Sequence, residues 1–190
     1  MTPLRIYLLT GLLTHKLVWE LLKRRSSREP RKAGKDLSIG LAFVKAVKIA
    51  LLVGIIAQTL APEILPITSD AAVLRAVGVS VFTLGLLMAI LSRIHLGSNW
   101  SDIEAGRVLQ KQTVVSKGIY AYVRHPIYVG DLLLLLGLEL SLNSWLVVSV
   151  VLLAPVVLWM ALREEKMLAD GLPGYRIYCA QTKRFIPFIV

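Results

Sequence analysis

The stretch PIYVGDLLLLLGLELSLNSWLVVSVVLLAPVVLWMAL, residues 126–162, is apolar almost throughout, and its length decides how the chain folds. As a single helix it would run about 55 Å at 1.5 Å per residue, nearly twice the roughly 30 Å hydrocarbon thickness of a bilayer. It must therefore turn back on itself. Asn143-Ser144 is the natural break, giving a hairpin of two helices over residues 126–141 and 145–164, with Gly137 and Pro155 expected to loosen the two arms.

Upstream of the hairpin lie three more apolar blocks, residues 4–22, 39–61 and 71–91. The first carries Arg5, His15, Lys16 and Glu20, which give it a polar second half; a signal peptide is disfavoured because His15-Lys16 would cut its apolar core and no small-x-small site follows. The second has Lys45 and Lys48 near one end, where long side chains can snorkel to the headgroups. With 56% hydrophobic residues, 18% charged and a mean hydropathy of +0.67, the 190-residue chain lies outside the range of soluble domains. The expected fold is an all-α integral membrane protein of one domain, with five transmembrane helices and polar segments at residues 92–125 and 165–190.

The net charge of +10 is first a statement about topology. Of 22 cationic residues, 17 fall in three segments that five spans place on one face: seven in residues 23–35, five in residues 93–124 and five in residues 163–184. The positive-inside rule makes that face cytoplasmic, in the cell inner membrane if the source is prokaryotic. No aromatic-interleaved basic helix supports a nucleic-acid partner. One cysteine, Cys179, and three histidines argue against a disulfide, a redox pair or a metal site.

Chemistry is then expected where the cytoplasmic segments meet the hairpin. In GIYAYVRHPIYVG, residues 118–130, Arg124 and His125 precede a proline well suited to the first turn of a helix. A guanidinium beside open helix N–H groups can hold a small anion, with Tyr120, Tyr122 and Tyr128 around it. The alternative is an aromatic belt with a snorkelling arginine. The hairpin returns Arg163-Glu164-Glu165-Lys166 to the same face, so Glu164 and Glu165 can oppose Arg124 and His125 across a cleft that the tail, with Tyr175, Tyr178 and Lys183-Arg184, can cover. Asp131 and Glu139 are acids inside a span and are functional candidates for that reason.

LGSNWS (residues 96–101), GIYAYVRHPIYVG (118–130), EEKML (164–168) and GYRIYCAQTKRFIP (174–187), taken in this order and spacing, resemble the signature of the isoprenylcysteine carboxyl methyltransferase family of membrane enzymes, in its short prokaryotic form. The likeness covers about the C-terminal half. RHPxYxG also occurs in phospholipid methyltransferases and is similar to an element of membrane sterol reductases.

The resemblance implies an S-adenosylmethionine-dependent methyltransferase that lacks a Rossmann domain, in agreement with the absence of a GxGxxG pattern. It places the cofactor between hairpin and tail, on Gln112, Thr113, Val114, Val115, Tyr120, Arg124, His125, Pro126, Ile127, Tyr128 and the acids Glu164 and Glu165. Related proteins often have histidine where Gln112 stands. An arginine implicated in holding a substrate carboxylate falls here on Met160, leaving Arg163 and Arg184, with Glu164, as the expected catalytic residues. The implied acceptor is a prenylated or other lipid-like molecule. Two alternatives are an NADPH-dependent sterol-type reductase, drawn from RHPIYVGD, and a non-catalytic lipid-binding protein.

Overall fold

Gly78, Phe82, Gly85 and Ala89 follow one another at spacings of four, three and four residues, and so do Gly130, Leu134, Gly137 and Ser141. That spacing keeps one seam of a helix turned toward a partner, and small residues let the backbones approach. The computed structural model describes residues 2–26, 39–61, 63–99 and 112–187. In it the two seams belong to α3 (Ala72–Leu96) and α4 (Pro126–Ser141), packed antiparallel. A Cβ on Gly130 would lie 2.6 Å from the Ala89 nitrogen, and Cβ atoms on Gly78, Gly85 and Gly137 would fall within the backbones of Ser141, Leu134 and Phe82. The register is constant along the pair, and one turn further it sets Arg93 level with Pro126.

The helix α1 (Pro3–Ser26) runs parallel to α3: Tyr7 Oη and Thr83 Oγ1 share a hydrogen bond of 2.6 Å, Gly11 faces the Phe82 ring, and Arg93 lies over Trp19. Leu8, Phe82, Leu134, Leu138 and Leu142 form the core between α1, α3 and α4. Ile55 of α2 (Ile39–Leu60) packs against it, and Gln58 donates to Glu139 Oε2 at 2.7 Å.

The hairpin turn spans residues 142–146, and Asn143 makes it. This residue adopts φ 55°, a left-handed conformation that asparagine tolerates, and its side chain holds the loop between α2 and α3. Its Oδ1 accepts from the Ile67 and Thr68 nitrogens at 3.2 Å each, and its Nδ2 donates to Thr68 O and Glu63 Oε2.

From the turn α5 (Val147–Gly171) runs past the boundary expected at residue 164, because Leu168 and Leu172 are buried against Val114, Tyr175 and Tyr178. A short α6 (Tyr175–Gln181) follows, and the chain returns beside the start of α4, with Arg124 N donating to Lys183 O at 2.8 Å and His125 N to Arg184 O at 3.1 Å.

Among the described residues, Ala72–Asn99 and Val147–Gly171 are long and apolar enough to cross a membrane, and Ile49–Leu60 is a shorter apolar helix. Charged residues dilute α1, and α4 has only 16 residues. Residues 27–38, 100–111 and 188–190, and the side chains of Lys45 and Lys48, lie outside the described residues. The basic first loop and the snorkelling lysines therefore remain readings of sequence.

Candidate active site

The lack of an N–H on Pro126 fits it to the first turn of α4, and His125 stands immediately before as the cap. Three segments distant in sequence converge there. Glu165, on α5, accepts from Arg124 Nε at 2.8 Å and His125 Nε2 at 3.1 Å, while Arg184 of the returning tail donates Nη2 to its other oxygen at 2.9 Å. Burial alone would raise the Glu165 carboxyl, but hydrogen bonds from His125, Arg184 and Arg124 outweigh it and hold the group well below the usual carboxylate range.

Its neighbour Glu164 has different partners. Oε2 accepts from the Tyr128 hydroxyl at 2.9 Å and lies 3.8 Å from His125 Nδ1, and the side chain keeps 24% exposure against 13% for Glu165. The rings of His125 and Tyr128 stack with centroids 5.4 Å apart, and Phe185 flanks His125 at 5.8 Å. Tyr178, pushed up to about 12 chiefly by burial, donates its hydroxyl to the Tyr120 carbonyl at 2.8 Å.

Arg124, His125, Tyr128, Glu164, Glu165 and Arg184 are thus brought together, with Pro126 buried and Ile127 half-buried beside them. Arg124 lines an open hollow together with Gln181, Lys183 and Arg184. Besides Glu165, it donates Nη1 to the carbonyls of Cys179 and Thr182, so that it clamps the tail. Arg163 is turned out, exposed, with its guanidinium 5.6 Å from the Trp159 ring; the next residue on a helix is rotated by about 100°.

The loop residues are ordered from the end of α3. Gln112 Nε2 donates to Asn99 O at 3.2 Å, and Thr113 donates its backbone nitrogen to Asn99 Oδ1 at 2.7 Å. Val114 packs against the α5–α6 cluster and Val115 is half-buried. Tyr120 is buried, whereas Tyr122 is exposed.

A second polar group, reached only in part from sequence, lies beside this cluster. His15 Nε2 on α1 meets Asp131 Oδ1 on α4 at 3.1 Å, the His15 ring lies 5.2 Å from Trp19, and the guanidinium of fully buried Arg93 sits 5.7 Å from the Trp19 ring. Arg93 also donates to Gly97 O at 2.9 Å. The sequence signal is His15 and Trp19 four residues apart on one face of α1.

A sequence profile of the family described as phospholipid methyltransferase matches residues 73–172. The chain is 34% identical over 110 residues to the cobalt-zinc-cadmium resistance protein CzcN of Cupriavidus metallidurans, covering 56% of this chain and 49% of that protein. It is 37% identical over 76 residues to the protein-S-isoprenylcysteine O-methyltransferase of Schizosaccharomyces pombe, covering 40% of this chain and 31% of that one. The matched part is thus less than half the length of either relative. Among solved structures, the eukaryotic intramembrane Ras methyltransferase ICMT, an isoprenylcysteine carboxyl methyltransferase, shares the fold with a TM-score of 0.59 at 21% identity, over the whole of this chain and 69% of that one. The profile takes in α3 from residue 73, the Arg124–Tyr128 segment and α5 with Glu164 and Glu165, and with it the chain belongs to the phospholipid methyltransferase family, which includes the isoprenylcysteine carboxyl methyltransferases that its motifs resemble.

Proposed function

We propose that the protein is an integral membrane, S-adenosylmethionine-dependent methyltransferase that acts on a lipid-like acceptor at the cytoplasmic face. The observation that carries this is the convergence on Glu164 and Glu165 of the cap of α4, the end of α5 and the returning tail, the segments whose sequences resemble the methyltransferase signature. Five spans, over residues 4–22, 39–61, 71–91, 126–141 and 145–164, put these segments on the side with 17 of the 22 cations. Outward-facing Leu13, Leu17, Val151, Leu152 and Trp159, all more than half exposed, suit a lipid surround and would be costly in water.

The residues fit the cofactor. The first-turn N–H groups of α4 have no intrahelical partner and suit its carboxylate, and partly exposed Glu164 suits its ammonium. The faces of His125, Tyr128 and Phe185 suit the base or the sulfonium. When bound, the cofactor supplies an electrophilic methyl group. The protein's part is to hold the acceptor in line and keep water away, which is catalysis by positioning. Glu165 and Arg124 fix the frame, and Glu164 is the ligand-facing acid.

Full-length protein in proteoliposomes, supplied with a lipid extract and methyl-tritiated S-adenosylmethionine, should transfer label to an organic-soluble product. Glu164→Gln should reduce transfer at least about tenfold. No transfer by the unsubstituted, folded protein would contradict the proposal.

A further inference from the structure

The His15–Asp131 pair is unused by the reading above and is expensive to place where it is. Ionisable groups inside a span are rare, and two that meet from different helices mark a pathway or a reacting site. His15 is eight residues before Lys23, about 12 Å along α1, and Asp131 five residues beyond Pro126, about 7.5 Å along α4. The pair is therefore shallow, below the headgroups of the cytoplasmic leaflet. Asp131 lies one turn from Tyr128, whose hydroxyl binds Glu164. Neither member is sealed: the side chains keep 22% and 44% exposure.

We infer that His15 and Asp131 are the proton-accepting pair of this site, and that the methyl acceptor is a lipid-like amine or thiol rather than a carboxylic acid. The inference rests on the methyl-transfer reading and deepens it. With Nε2–H donated to Asp131 Oδ1, the His15 ring is fixed and Nδ1 carries the lone pair. A carboxylate has no proton to give, and beside Asp131 it would meet a like charge. Among the described residues, Arg124 and Arg184 are paired with Glu165, and Arg163 lies on the outer Trp159.

The step balances. The lone pair of nitrogen or sulfur on the acceptor forms a bond to the methyl carbon of a sulfonium donor as the carbon–sulfur bond breaks, its electrons returning to sulfur. The N–H or S–H proton passes to His15 Nδ1 and then to water at the interface, carrying off the positive charge the sulfonium loses. His15 is the catalytic residue, and Asp131 positions its ring.

The test uses full-length protein in nonionic detergent and three probes: dodecylamine, dodecanethiol and dodecanoic acid. With S-adenosylmethionine, the amine or the thiol should be methylated and the acid not. His15→Gln keeps a hydrogen-bond donor for Asp131 but cannot take the proton, and it should lower the rate roughly 10²- to 10⁴-fold with unchanged affinity for S-adenosylhomocysteine. Without cofactor, calorimetry should show dodecylamine bound at least about tenfold more tightly than dodecanoate, with the preference lost in Asp131→Asn. Methylation of the acid, failure of both amine and thiol, or full activity in His15→Gln would overturn the inference. Absence of S-adenosylhomocysteine binding to the unsubstituted protein is a different failure, that of the methyltransferase reading itself.

Discussion

Glu164 and Glu165 are adjacent in sequence and identical in chemistry, and only their partners separate them. Glu165 neutralises Arg124, which is nearly buried, and also accepts from His125 and Arg184. Removing it by Glu165→Ala strands buried charge, a loss of about 3–5 kcal/mol. Glu164→Ala gives up one tyrosine hydrogen bond and should cost about 1 kcal/mol, read as thermal midpoints in detergent. A pH dependence follows from the same contacts. Because the folded-state pKa of Glu165 is depressed, its contribution is present above the ordinary carboxylate range and fades as pH falls below it. The midpoint should fall from about pH 5 to about pH 3, less steeply in Glu165→Gln; equal slopes would contradict this. Sequence placed the two acids opposite Arg124 and His125, since a hairpin must return to its starting face. It could not divide their tasks, because Arg124 is claimed by carbonyls of a tail whose return has no periodic signal.

At the scale of elements, the α3–α4 seam is the joint that sets the cap of α4 beside the end of α3. Gly137→Ala drives a methyl group into the Phe82 backbone and should lower stability by about 1–3 kcal/mol. Gly54, on α2, has open space around its Cβ position, and Gly54→Ala should raise stability by about 0.5–1 kcal/mol. Equal effects would show that the seam is not closely packed. The alternation of four and three between these glycines is present in the sequence, as is the Asn143 break. The end of α5 has no such local signal: apolarity stops at Leu162, whereas the helix is carried on to Gly171 by Leu168 and Leu172, whose partners come from the 112–115 loop and α6. Such a boundary is set by long-range burial rather than local pattern.

At the scale of the molecule, charge and fold make one statement about orientation. α1 and α3 run the same way, α4 runs against them, and the Glu165 cluster lies at the end where α3 finishes and α4 begins. A tag in the loop near Glu63 should be labelled only from outside and one at the C-terminus only from the cytoplasm; reversed labelling would remove the topological argument. Calorimetric titration of the folded, detergent-purified protein with S-adenosylhomocysteine, beside NADPH, tests whether this cluster holds a methyl-transfer cofactor. Saturable binding of S-adenosylhomocysteine is expected, weakened by His125→Ala but not by Lys32→Ala in the first loop, with no binding of NADPH. Binding of NADPH alone, of neither ligand, or with equal affinity in all three proteins would contradict it.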